Sequence, residues 1–215
     1  MERTMKVIGK GKLVLPPDLI QITIHLNITE KEYEQVIISA AKSKDELTST
    51  LVNIGFNQEE LKTNHFSVDS KYEGYSDEHG NWKNKFVGYE LNHELLLSFQ
   101  DFDLLGKALY ALSTCSSEPQ FSIHYTLKNQ EKAKEELLTL AMEDAKKKAE
   151  LLSRAANVSL MDIISIDYHF NELNMIVQPM ERVMLAKSSM DTIPLDIHPN
   201  DLIIEDQVSV IWTIE

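Results

Sequence analysis

The sequence predicts an α+β fold, a two-layer arrangement with three helices packed on one face of a largely antiparallel sheet. Two observations carry that reading. From Leu19 to Thr29, Ile20, Ile22, Ile24, Leu26 and Ile28 point one way, and Gln21, Thr23, His25, Asn27 and Thr29 the other. Such alternation marks a sheet with one face in water, whereas a buried parallel sheet reads as unbroken apolar runs. The second observation is a set of three segments with the helical period, the longest running from Asn129 to Asn157.

The elements follow in the order β-β-α-β-β-α-β-α-β, then a long segment, then a last strand. The first strand, Lys6 to Leu15, carries Gly9 and Gly11, and glycine inside a strand suggests a bulge or a close backbone approach. Pro16 and Pro17 break the ladder before Asp18, which suggests a hairpin with Leu19–Thr29. A helix over about Glu32–Ile54 turns Tyr33, Val36, Ile37, Ala40, Leu47, Leu51 and Ile54 inward and stops at Gly55. Alternation returns through Phe66–Tyr72 and Tyr89–Phe99. A second helix is capped by Asp101 and buries Leu104, Leu105, Ala108, Leu109 and Leu112. A strand through Phe121–Leu127 leads to the third helix. There Ala133, Leu137, Ala141, Ala145, Ala149, Leu152 and Ala156 make a stripe of small volume, so this helix can lie very close to what it covers. Strands at Ile164–Phe170 and Val208–Ile214 complete the set.

One domain over residues 1–215 is expected, with an excursion at 171–200 that holds Met175, Met180, Met184 and Met190 and three prolines. A stretch this long without structure is uncommon in a compact domain. It is either a flexible excursion or an arm that covers its methionines on another subunit.

Composition narrows the functional classes. The chain has 215 residues and a formal net charge of -13, a surface that repels phosphate backbones and anionic membranes. Nucleic acid is therefore not an expected partner. No run of about 18 apolar residues occurs, so no membrane span is expected. The start, MERTMKVIGKGK, has no apolar leader core or small-residue cleavage site. The expected location is the cytoplasm, or the periplasm or cell exterior if a leader has been removed. Cys115 stands alone and reads as a small core residue.

Chemistry leaves few marks. His25, His65, His124 and His169 lie on polar strand faces without HxH or HExxH spacing, so only strand order could gather them around a metal. His93 falls on an apolar face and reads as a hydrogen-bonded core histidine. Glu205 and Asp206 precede the final strand and read as solvated. GKGK at Gly9–Lys12 lacks the spacing of a phosphate loop, and no GxSxG elbow appears. No catalytic residue, metal or cofactor is expected. The aromatic stretch from Tyr72 to Trp82 suits a hairpin, with Asp77, Gly80 and Asn81 at the turn. Tyr75 and Trp82, with Met175, Met180 and Met184 of the long segment, are the candidate contact surface.

The order of motifs resembles the SIMPL domain family. The matching pieces are GKGK to PPD at Gly9–Asp18, ITIHLNIT, LVNIGF at Leu51–Phe56 and LKTNHFSV at Leu61–Val68. They continue with GYELNHELLLSF at Gly88–Phe99, AMEDAKKKAELLSRAANV at Ala141–Val158 and VSVIWTI at Val208–Ile214. The resemblance implies an α+β fold, a bacterial protein and assembly into ring or channel-like homo-oligomers, and it carries over no catalytic residue. Two features depart from the family pattern: no secretion signal is present, and His198-Pro199-Asn200 stands near where a proline-glycine pair is usual. The expected function is non-enzymatic self-assembly, in a stress- or envelope-related process by resemblance. The alternative is a module that binds a small molecule or peptide on the open sheet face and the 72–82 hairpin.

Overall fold

The computed structural model describes residues 3–168, 175–177 and 199–215. The α+β class holds, with three helices and antiparallel pairing among the described residues. The strands, however, divide between two sheets where the sequence suggested one, and the helices divide with them. Contacts separate the chain into two compact units.

The first unit comprises the described residues of 3–18, 126–168, 175–177 and 199–215. Its strands are β1 (Thr4–Leu15), β6 (Leu160–Asp167), β7 (Met175–Val177) and β8 (Leu202–Ile214). Its sheet runs β1-β8-β6, with β7 also paired to β8. The second unit, within residues 19–125, holds β2 (Leu19–Glu30), β3 (Leu61–Ser76), β4 (Trp82–Phe99) and all but the last residue of β5 (Gln120–Thr126), in the order β3-β4-β2-β5. The expected hairpin between the first two strands does not form: β1 pairs with β8, and β2 with β4. Alternation shows which face of a strand is buried but not which strand lies beside it. The partner of β1 comes from the far end of the chain.

In the first unit, Val7 and Leu13 of β1 and Leu202, Ile204, Val208, Val210 and Trp212 of β8 form the buried face. Helix α3 (Gln130–Ala156) covers it with Ala133, Leu137, Ala141, Ala145, Ala149 and Ser153. The row keeps a spacing of four to its end. Leu152 is accordingly 48% exposed, and Ala156 is exposed too, against the expected stripe. Ser153 can occupy the covered row because its hydroxyl donates to Glu150 O at 3.1 Å. Asn129 Oδ1 accepts from Lys132 N at 3.0 Å, and Asn157, at φ 52, takes the left-handed turn that ends the helix.

The glycines of β1 explain the small stripe. A Cβ at Gly9 would lie 2.0 Å from Ala141 O and 2.6 Å from Ala145 Cβ, and one at Gly11 would lie 2.2 Å from Leu137 O. The obstacle is mainly helix backbone, which cannot swing aside as a side chain can.

In the second unit, Ile20, Ile22, Ile24 and Leu26 of β2 and Leu91, Leu95 and Leu97 of β4 are fully buried or nearly so. Helix α1 (Tyr33–Asn53) covers them with Val36, Ala40, Leu47 and Leu51. Helix α2 (Asp103–Ser113) adds Leu105, Ala108, Leu109 and Leu112 to the same core as Cys115. Asp101 supports the start of α2 by accepting from Asp103 N at 2.9 Å, and Gly55, at φ +113, follows α1 as its stop. Tyr33 and Ile37, expected inward, are exposed because the buried row of α1 runs through Val36 and Ala40.

Gly9→Ala and Gly11→Ala are each expected to lower unfolding stability by about 1–3 kcal/mol, the usual cost of forcing volume into a packed site. Leu152→Ala should stay within about 0.5 kcal/mol. Urea unfolding followed by the buried Trp212, in a Trp82→Phe background that leaves it the sole tryptophan, checks both.

Candidate functional site

Strands β3 and β4 form one long hairpin. From Tyr89 to Leu97, β4 is paired on both sides, with β2 and with β3. From Trp82 to Gly88 it pairs with β3 alone among the described residues. The outer part is thus a two-stranded ribbon, which is marginal in water unless its side chains support it.

Its turn is built on Asp77. The Asp77 Oδ1 atom accepts from the amides of His79 at 3.0 Å and Asn81 at 2.9 Å, and the Asp77 N–H donates to Asn81 O at 2.9 Å. Lys83 Nζ lies 2.8 Å from Asp77 Oδ2. The Lys83 ammonium, followed by the Asn81 amide, holds the carboxyl below the usual aspartate range. Gly80 supplies the positive φ, +79, that closes the turn.

One face of the ribbon is a row of rings. Tyr72 stands opposite Phe86, with centroids 5.6 Å apart. Phe86 meets Tyr89 edge to face at 5.3 Å, and Tyr89 meets Tyr33, the first residue of α1, at 5.4 Å. Trp82 lies over Gly74, where a Cβ would come within 2.5 Å of the indole. This row continues the sheet face that α1 covers around Leu91, and it begins where α1 begins. Uncovered, Trp82 is 76% exposed, Tyr72 60% and Phe86 44%.

A bulge places Phe86 in the row. Lys71 pairs with Gly88 and Tyr72 with Phe86, so Val87 is the extra residue. Without it, strand parity would put Phe86 and Tyr89 on opposite faces. Gly88 permits the bulge: its φ is +147, and a Cβ there would lie 2.3 Å from Glu30 O.

Of the expected contact residues, Trp82 belongs to this row. Tyr75 does not: it pairs with Lys83 and faces the other side of the ribbon. The sequence reading missed Phe86, Tyr89 and Tyr33 as members of the row, and Gly88 was the one local signal of the bulge that recruits Phe86. The main chain of Met175 pairs with Ile204 in β8, whereas Met180, Met184 and Met190 lie outside the described residues. So does His169.

Behind the row, on the same face, His93 is buried between the apolar clusters of Leu91 and Leu95. Its Nε2 is 3.0 Å from Thr63 Oγ1, Phe66 packs edge-on at 5.1 Å, and Nδ1 has no partner among the described residues. Burial, and secondarily the Lys44 charge, push its pKa below the ordinary histidine value. On the opposite face, His25 Nδ1 lies 3.8 Å from Glu94 Oε2. Among the described residues, no three of His, Cys, Asp and Glu gather as metal ligands, and no helix is long and apolar enough to cross a membrane.

In the other unit, Asp206 is not merely solvated. The strand begins earlier than expected, at Leu202, and Asp206 accepts from Tyr168 Oη at 2.9 Å, while Glu205 pairs with Lys12 across the strands at 2.9 Å.

His93 makes stability depend on pH with a definite sign. Below about pH 6.5 the unfolded chain takes up a proton that the folded site resists, so stability falls as pH drops through that value toward the lower folded-state value. Above it this contribution is flat. Unfolding free energies at about pH 5 and about pH 7.5 should differ less in His93→Gln than in the parent chain.

A comparison with family models matches residues 5–212 to SIMPL, described as a protein of unknown function (DUF541). No curated protein matches the chain.

Proposed function

The chain belongs to the SIMPL family, and from that premise we propose that it acts by self-association, without chemistry of its own, through the ring face of the β3–β4 hairpin. The observation that carries this reading is the exposed row of Tyr72, Trp82 and Phe86 on a ribbon that no third strand supports among the described residues. Large aromatic side chains dominate the buried centres of interfaces, and rings already in edge-to-face contact lose little freedom when covered. A second copy fits the charge pattern. At a net charge of -13 two chains repel one another over most of their surface. The outer part of the hairpin, residues 71–88, is balanced, with Lys71, Lys83 and Lys85 against Glu73, Asp77 and Glu78. A two-fold contact also needs one surface to match itself, and a row of rings does so. The cellular setting proposed with it is a stress- or envelope-related process, on family resemblance alone.

A second reading, a peptide- or small-molecule-binding module, uses the same face. It is favoured by β3 standing, among the described residues, at the end of its sheet, where an extended peptide can add as a further strand.

Sedimentation velocity separates the two. On the first reading the parent chain associates, and Tyr72→Ser with Trp82→Ser weakens association by roughly thirtyfold or more, the equivalent of about 2 kcal/mol. Tyr75→Ser, on the reverse face, should change little. A parent chain that remains monomeric at high concentration contradicts self-association and leaves the binding module.

A further inference from the structure

The outer edge of β1 is closed by the helix beside it. In a strand, the main-chain groups of alternate residues point to the same side. The odd-numbered residues of β1 face β8, whereas Ile8 and Lys10 present their main chain to the outer edge. Lys10 N–H donates to Asp144 Oδ2 at 2.7 Å, and Lys148 Nζ donates to Ile8 O at 3.3 Å. The two side chains also bind each other at 2.6 Å, one helical turn apart on α3. A carboxylate that accepts from one strand residue and an ammonium that donates to another reproduce what a neighbouring strand would supply.

We propose that Asp144 and Lys148 form a gate on strand addition: in place they close β1, and without them the edge takes β6 of a second copy. Unpaired edges are templates for another chain, and proteins commonly block them with charge. The occupant follows from composition. The open face of β1 carries Lys6, Lys10 and Lys12 with exposed Ile8 and Val14. Among the described residues, strand β6 ends its own sheet and is exposed along most of its length, offering Asp162 with Ile163 and Ile164. Basic and apolar side chains of one edge thus meet acidic and apolar side chains of the other, whereas β1 against a second β1 would set lysines against lysines.

The gate lies in a different unit from the hairpin row, so the test uses a background in which the row is removed, Tyr72→Ser with Trp82→Ser. In that background Asp144→Ala with Lys148→Ala should raise the weight-average mass in sedimentation velocity past that of a dimer as concentration rises, because joining β1 to β6 leaves a free β1 and a free β6 on each growing chain. Adding Asp162→Lys and Ile164→Lys should return it to monomer. Lys148→Glu, which sets a second carboxylate beside Asp144, opens the gate without touching the alanine row and serves if the double variant fails to fold. Folded gate variants that keep the background's mass at every concentration overturn the proposal. Association that survives the β6 changes overturns β6 as the occupant.

Discussion

The backbone of α3 lies against the backbone of β1, and most of the first unit follows from that approach. Helix and sheet ordinarily stand apart by the thickness of two layers of side chains. Here Gly9 and Gly11 remove one layer, and alanines at Ala141, Ala145 and Ala149 reduce the other. The arrangement replaces bulky apolar burial with many close contacts along two main chains. It leaves little tolerance, because an added methyl would meet a carbonyl oxygen that the helix holds in place. The same closeness lets a side chain as short as Asp144 reach the Lys10 amide, so the edge contact depends on the glycines.

The second unit is built the other way. Ile20, Ile22, Ile24 and Leu26 face Leu47 and Leu51 across an ordinary layer of large side chains. A polar seam interrupts it at His93, where one ring nitrogen meets Thr63 and the other meets none of the described residues. Beyond the seam α1 reaches its first residue and the sheet does not stop. The covered face of β3 and β4 runs on into Tyr89, Phe86 and Tyr72, so the exposed rings are the continuation of a core whose helix has ended.

Much of this was legible in the sequence because it is local. Alternation in β2 and β4 gave the buried faces, Asn129 and Asn157 marked the ends of α3, and the small stripe announced a close approach. Gly9 and Gly11 signalled the same approach from the other side. What stayed hidden was set by distant partners. Nothing near β1 shows that β8 lies beside it, so the strands read as one sheet and β1 with β2 as a hairpin. Val87 reverses the parity of β4 through a register shift, and counting alternate residues from Tyr89 therefore misplaces Phe86. Leu152 looked inward by volume, but the covered row advances by four and reaches Ser153 instead.

Hydrogen exchange at the Lys10 amide tests the close helix most directly. That amide points away from β8, on a strand edge that no other strand covers among the described residues. It should exchange far more slowly than the outward amides of Lys6 and Lys12, because Asp144 reaches it only from a helix in backbone contact with the strand. Equal exchange at all three positions would mean that α3 stands off from β1, and the packing described here would be wrong.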